Sequence, residues 1–237
     1  MARSGKARPA KKRPAKAAPR GVSFDRGPYA GKSAPAPSAR EAKQAERREA
    51  ILTAALAEFS AQGFTATRLD DVARRAGIAK GTIYLYFRDK ESLFQELIRT
   101  RLSPIVGTIE ALRDADVPVR ALADQLVELF VREVFGTQRK DVIRLMIAEG
   151  PRFPKLAEFY YREVLSRIIA ALRTLLKRAH ERGEVGSDAV VRFPQLIAAP
   201  GLVAVVWSGL FDRFEPLDVR AMMKAHVDLL FTPGRAA

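Results

Sequence analysis

From about residue 38 to residue 231 the chain repeats apolar residues at intervals of three and four, the period that lines one face of an α-helix. Ser38-Ala-Arg-Glu41 reads as a capping box, and a helix runs from it to about Gln62. Ile51, Leu52, Ala55, Leu56 and Phe59 form its apolar stripe, and Gly63 supplies a left-handed stop. A short helix is predicted over about 68–75. Thr67 stands at its N-cap, and Asp70 and Asp71 sit at the positive end of its dipole. Leu69, Val72, Ala73 and Ala76 give it an apolar face. Gly77 permits a tight turn, Ile78 plugs inward, and a second short helix over about 80–86 turns Ile83 and Phe87 to the core. Asp89, helped by Glu91, caps the next helix.

That helix runs from Lys90 to about Arg113, with Pro104 expected to kink or split it. Pro118 fits the first turn of another, with the stripe Leu122, Leu126, Leu129 and Phe130 and an end at Gly136. A helix bearing Val142, Leu145 and Met146 stops at Gly150-Pro151. The longest clean pattern spans Lys155 to Arg182 and ends at Gly183. Ser187 or Asp188 begins a helix to about Phe211 that is apolar nearly all round and so requires burial on several sides. A last helix covers about 217–231. The pattern predicts an all-α fold of about nine helices, with a three-helix head and a larger helical regulatory domain. The expected divisions are a basic arm over 1–40, a helix-turn-helix domain over 41–90, and an effector-binding and dimerisation domain over 91–233. Alone, the helices at about 188–211 and 217–231 would expose a large apolar patch. Packing against two-fold copies in a four-helix bundle would cover it, making a homodimer. The alternative is that both fold into the monomer core.

Charge changes this picture at one end. The 237 residues carry 41 Lys and Arg against 27 Asp and Glu, and residues 1–40 hold eleven of the bases with Asp25 as their sole acid. Rich in Pro, Ala and Gly, this arm cannot bury enough to offset the entropy of ordering it. It reads as disordered and basic, either attracted to DNA phosphates or simply solubilising. Gly27-Pro-Tyr-Ala-Gly31-Lys32-Ser33 imitates a phosphate-binding loop, but it has three residues between the glycines where the motif needs four. The arm lacks the apolar stretch of a secretory signal. The longest uncharged run, 193–211, is interrupted by two prolines and falls short of the roughly 20 residues that span a bilayer. A cytoplasmic protein without membrane segments is expected. No cysteine is present, which removes disulfides, thiolate metal sites and cysteine nucleophiles. His180, Glu181 and Glu184 offer a metal-like spacing, but on a basic helix end where exposed charges are ordinary. No nucleophile elbow or dinucleotide turn appears, so no catalytic residue, metal or cofactor is assigned.

Two short helices joined by a glycine-containing turn form a helix-turn-helix, whose second helix enters the major groove. Lys80, Thr82, Tyr84, Leu85 and Tyr86 suit phosphate and base-edge contact. An ordinary helical hairpin with a polar face is the alternative. The run from Gly63 to Phe94, centred on Ala-Gly77-Ile-Ala-Lys80-Gly-Thr-Ile-Tyr-Leu-Tyr-Phe87, closely resembles the DNA-binding head of TetR-family transcriptional regulators. The resemblance covers about residues 45–94. It implies a dimeric all-helical regulator with an effector pocket in its larger C-terminal domain. It places Thr67, Arg68, Lys80, Tyr84, Tyr86 and Lys90 at phosphates, and Gly81, Thr82 and Leu85 nearest base edges. Ala79 departs from the Ser or Thr usual there and cannot cap with its side chain, a loss of roughly 1 kcal/mol. The stretch from Arg144 to Ala157 further resembles an AefR-like C-terminal domain.

For an effector, Met146, Phe159, Tyr160 and Trp207 are candidate pocket walls, and Arg101 and Glu149 candidate anchors. Core packing or surface contact is the competing reading for each. Pro200-Gly201 either opens space for a ligand or makes a packing kink. The function expected is a repressor released from a near-palindromic DNA operator by a small apolar or amphipathic molecule. The rival is an architectural DNA-binding protein that relies on its basic arm.

Overall fold

The computed structural model describes residues 38–113, 115–185 and 187–231. The basic arm expected over 1–40 lies outside them except for its last three residues, and so does the Gly27–Ser33 stretch. Among the described residues there are ten helices and no strand. The first four are α1 (Ala39–Ala66), α2 (Leu69–Arg75), α3 (Lys80–Ile83) and α4 (Lys90–Leu112). Next come α5 (Val119–Leu129, extended by the π-helical segment Phe130–Phe135) and α6 (Arg139–Glu149). In α7, Pro154–Tyr160 passes through the π-helical segment Tyr161–Leu165 into Ser166–Glu181. The chain ends with α8 (Ala189–Arg192), α9 (Gln195–Leu210) and α10 (Val219–Phe231).

Several boundaries follow from single residues. Gly63 interrupts α1 with φ 75 and ψ 166, a region essentially reserved for glycine. It is a break of a different kind from the left-handed stop expected. The Asp89 carboxylate accepts the Ser92 N–H at 2.7 Å, while Ser92 Oγ accepts the Asp89 N–H at 3.3 Å. This is the expected cap, with Ser92 as the reciprocal partner where Glu91 was expected. Gly183, at φ 71, ends α7 as its pattern requires.

Other boundaries depart from the pattern. The N-cap of α2 is Arg68, with no side-chain cap bond, because the Thr67 hydroxyl turns back to donate to the Gly63 carbonyl at 2.8 Å. α3 ends at Ile83, short of residue 86; uncapped at Ala79, it closes through tight turns such as Leu85 N–H to Thr82 O at 3.1 Å. α4 runs undivided through Pro104. The helix expected over 188–211 is two, α8 and α9. Pro194 has no N–H to continue the ladder, and Phe193 before it is non-helical at φ −123 and ψ 70. That split accounts for ten helices in place of about nine. α9 in turn passes through Pro200-Gly201 unbroken. A Cβ on Gly201 would stand 3.0 Å from the Phe130 ring, so the missing side chain seats that ring from the π-helical end of α5.

The core does not stop at residue 90. One apolar cluster joins Ile51, Phe59, Phe64, Val72, Ile83 and Phe94 to Val142, Leu145, Met146, Leu156 and Phe159. Residues 41–90 are therefore packed directly on α4, α6 and α7. Two smaller clusters hold α5 against α7 and α8, through Val119, Leu172 and Val190, and against α9 and α10, through Val127, Ala204, Met223 and Val227.

The Ser92 amide beside Asp89 holds its carboxyl below the usual carboxylate range. A carboxyl lowered on folding stabilises above its unfolded pKa and loses that contribution as pH falls through the folded one. Asp89→Ala is expected to cost about 1 kcal/mol at pH 7. In urea melts, the gap between variant and parent should close as pH drops below the lowered pKa.

Candidate nucleic-acid interface

α2, the turn and α3 form the tip of the head. Gly77 takes φ 67 in the turn, and the Ile78 N–H donates to the Ala73 carbonyl at 3.0 Å. Ile83 is fully buried and Phe87 nearly so, which fixes the inner side of α3. α2 is strapped to α1 by the buried Glu58 carboxylate, which accepts from Arg75 Nε and from Gln62 Nε2, each at 2.6 Å. The opposite side of the tip faces out. Leu85 is 83% exposed and Tyr84 49%. Nothing lies within 4 Å of where a Cβ would stand on Gly81. Arg68 and Lys80 are exposed, Thr82 is half-buried, and half-buried Tyr86 packs its ring on the core. Lys80 Nζ lies 2.7 Å from one Asp70 oxygen, and the Tyr84 hydroxyl donates to the other at 3.4 Å. The sequence pattern shows Asp70 only as a helix-start acid; its bridging role depends on how α3 folds back beside α2.

Two expected phosphate residues are engaged elsewhere. Thr67 is buried, with its hydroxyl committed to Gly63. Lys90 Nζ donates to the carbonyls of Phe64 and Thr65, each at 2.7 Å, and of Thr67 at 3.3 Å, and sits 4.8 Å from the centre of the Phe64 ring. A lysine has three donors, and all three serve the end of α1. Burial is the leading cause that pushes this ammonium's pKa down, while the nearby Glu149 charge opposes it. Glu149 Oε1 accepts the Phe64 N–H at 3.1 Å from the end of α6, and a Cβ on Gly63 would come within 2.7 Å of that oxygen. The Phe64 ring lies among those of Phe59, Phe94 and Phe153, with centroids 4.7–5.5 Å away. The joint between α1 and α2 is thus held by α4 and α6 together.

The expected effector residues do not converge. Glu149 belongs to this joint. Arg101 ties α4 to α1 through Glu49 at 2.5 Å and Thr53 at 3.1 Å. Trp207 donates its Nε1–H to the Glu215 carbonyl at 2.8 Å and packs edge-on to Phe211. Met146, Phe159 and Tyr160 do meet, as part of the main core, where desolvation pushes the Tyr160 phenol up to about 12. A small apolar cavity lies instead between α5, α9 and α10, lined by Val127, Ile197, Pro200, Met223, His226 and Val227. The outer side of α9 and α10 stays bare in the single chain: Leu202 is 53% exposed, Leu210 59% and Leu229 81%. The all-round burial expected for this helix is therefore incomplete within one chain. Among the described residues, no cluster of three His, Asp or Glu is placed to hold a metal, and no helix is long and apolar enough to cross a membrane.

A helix-turn-helix tip on an all-helical body defines a class of DNA-binding regulators. Residues 51–97 match the family model of bacterial regulatory proteins of the tetR family, and residues 116–225 match a tetracyclin repressor-like C-terminal domain. The transcriptional repressor BepR of Brucella suis is 33% identical over 156 residues, spanning 62% of this chain and 73% of that protein. The regulator RutR of Escherichia coli K12 is 29% identical over 120 residues, 51% of this chain and 49% of its own length. In fold, the chain is similar to a TetR-family regulator from Mesorhizobium loti, at TM-score 0.61 and 22% identity over 79% of this chain and 96% of that one. It is also similar to FadR from Bacillus subtilis, solved with stearoyl-CoA, at TM-score 0.61 and 19% identity over 78% and 97%. The chain belongs to the TetR family and is a transcriptional regulator, not an enzyme.

Lys90→Ala leaves three carbonyls of the α1 end without their donor. The expected loss of stability is about 1–3 kcal/mol, read as a lowered midpoint in thermal or chemical melts. Removing a cation that binds phosphate flattens the salt slope of DNA binding by about one. Because the Lys90 donors are all committed within the fold, weakened binding by this variant should keep the parent's slope.

Proposed function

We propose that the protein is a homodimeric, ligand-responsive repressor that reads a near-palindromic operator through α3. The observation that carries this reading is the outer row of the tip. A large apolar side chain, Leu85, stands exposed beside Tyr84, Thr82 and bare Gly81, on α3 and the turns that close it, whose inner side is anchored by Ile83. Such a row suits a major groove, where Leu85 meets a thymine methyl and Thr82 a base edge, while Arg68, Lys80 and Tyr84 take phosphates. Tyr86 contributes through its phenol edge. In this reading residues 41–90 bind DNA and residues 91–233 receive the effector and form the dimer. The repressor role draws support from BepR, which is named a repressor.

The bare apolar side of α9 and α10 supports the dimer. Leu202, Leu210 and Leu229 on these two helices are more than half exposed, apolar surface of the kind that partner association covers. Pairing with a second copy covers it symmetrically and sets two α3 helices about 34–36 Å apart, one turn of DNA. A small apolar or amphipathic effector would act by favouring a spacing that misfits DNA, so that effector and operator oppose each other reciprocally. Leu202→Glu should convert the dimer to monomer in sedimentation velocity without loss of helical circular dichroism.

The deciding measurement is titration of the full-length protein against DNA upstream of its own gene and against a scrambled duplex, at about 200 mM salt where phosphate attraction is weakened. A preference of at least ~100-fold, about 2.7 kcal/mol, is expected. Equal and tight binding to both would favour an architectural role carried by the basic arm.

A further inference from the structure

The DNA-facing tip carries a carboxylate whose two oxygens are both turned to groups of that surface. Asp70 lies in the first turn of α2, yet α2 has no side-chain cap bond, and Asp71 beside it serves the same dipole and pairs with Arg74. The two oxygens of Asp70 reach out of the element instead, one to Lys80 Nζ at 2.7 Å and one to the Tyr84 hydroxyl at 3.4 Å. Lys80 and Tyr84 are two of the exposed groups of the tip suited to phosphate. The hydrogen bond between Lys80 and Asp70 holds the Asp70 carboxyl below its usual range and the Lys80 ammonium above its own. Arg68 adds a further positive charge near the same carboxylate.

We propose that Asp70 is a specificity-determining residue that competes with DNA phosphate for Lys80 and Tyr84. Non-specific binding consists almost entirely of phosphate attraction, whereas specific binding adds base contacts. A carboxylate that occupies Lys80 and repels phosphate weakens binding to random DNA. On an operator, the docking of Leu85 and Thr82 brings a phosphate close enough to displace it. Asp70 thereby widens the ratio between operator and random sequence. The proposal rests on the placement of α3 against DNA given above.

The test compares four full-length proteins: the parent, Asp70→Asn, Lys80→Ala and the double variant. Each is titrated by fluorescence anisotropy against a 25-base-pair duplex of random sequence across salt, with melting curves to establish that all four are folded. The basic arm contributes equally to all. Asp70→Asn is expected to bind random DNA about three- to ten-fold more tightly and to steepen the salt slope by about one. In the Lys80→Ala background the same change should alter affinity less than about two-fold, since no lysine remains to release. An unchanged affinity and slope for Asp70→Asn overturns the proposal. Equal tightening with and without Lys80 also overturns it, because Asp70 would then act as a general repulsive charge. If none of the four binds any duplex, the DNA-facing placement of α3 fails, and the proposal fails with it.

Discussion

The chain reverses between α1 and α2, and two ions of opposite sign hold that reversal. A helix end leaves carbonyls without partners, and buried ones must find a donor. Here Lys90 serves Phe64, Thr65 and Thr67 at once, from the first residue of α4. Glu149 takes the Phe64 N–H from the last residue of α6. The arrangement requires glycine at position 63, where φ 75 and ψ 166 bring the backbone against the carboxylate. The second oxygen of Glu149 is buried without a hydrogen bond, with the Arg152 guanidinium 4.0 Å away and the Lys90 charge nearby. Both ions engage the same residue, Lys90 through the Phe64 carbonyl and Glu149 through the Phe64 N–H, so each reinforces the other's hold on the joint. The direction in which α2 and α3 leave the body follows from this joint.

How far the fold is legible in the sequence depends on the range of the forces involved. Local signals are reliable here: the stripe of α1, the Asp89 cap, the breaks at Gly63, Gly136 and Gly183, and the long α7 pattern all appear where spacing places them. Glu149 and Phe64 are 85 residues apart, and nothing near either one in the chain marks the bond between them. Lys90 matches a phosphate-binding position by resemblance, and its capture by three carbonyls depends on the end of α1 folding back over α4. Pro104 and Pro194 show that the same residue type has opposite outcomes. Pro104 is carried through α4, whose neighbours Leu102 and Val106 are buried. Pro194 divides α8 from α9 with exposed Phe193 before it. The effector residues are the least legible, because aromatic and charged residues in helices serve cores and inter-helix ties more often than ligands.

One element connects the surfaces that matter. At one end of α6, Glu149 holds the joint of the head. Near its middle, Arg144 donates to the Val205 carbonyl at 3.1 Å and to Ser208 Oγ at 2.7 Å, both on α9. Gly209 makes room for it, since a Cβ there would stand 3.1 Å from Arg144 Nε. Asp141 pairs with the same guanidinium at 2.9 Å, so the side chain is fixed from both helices. Arg144 is therefore tied to the helix that bears the bare apolar face, and five residues on Glu149 is tied to the α1–α2 joint.

A rigid helix anchored at two points cannot shift at one without loading the other. Close-packed interiors do not deform smoothly; they exchange one packing for another. The middle of α6 is packed in this way, with Val142, Leu145 and Met146 all in the main core. Val205 and Ser208, Arg144, Glu149 and Phe64 thus lie along one continuous run from α9 through α6 to the head. The contacts are polar and directional at both ends and apolar between them.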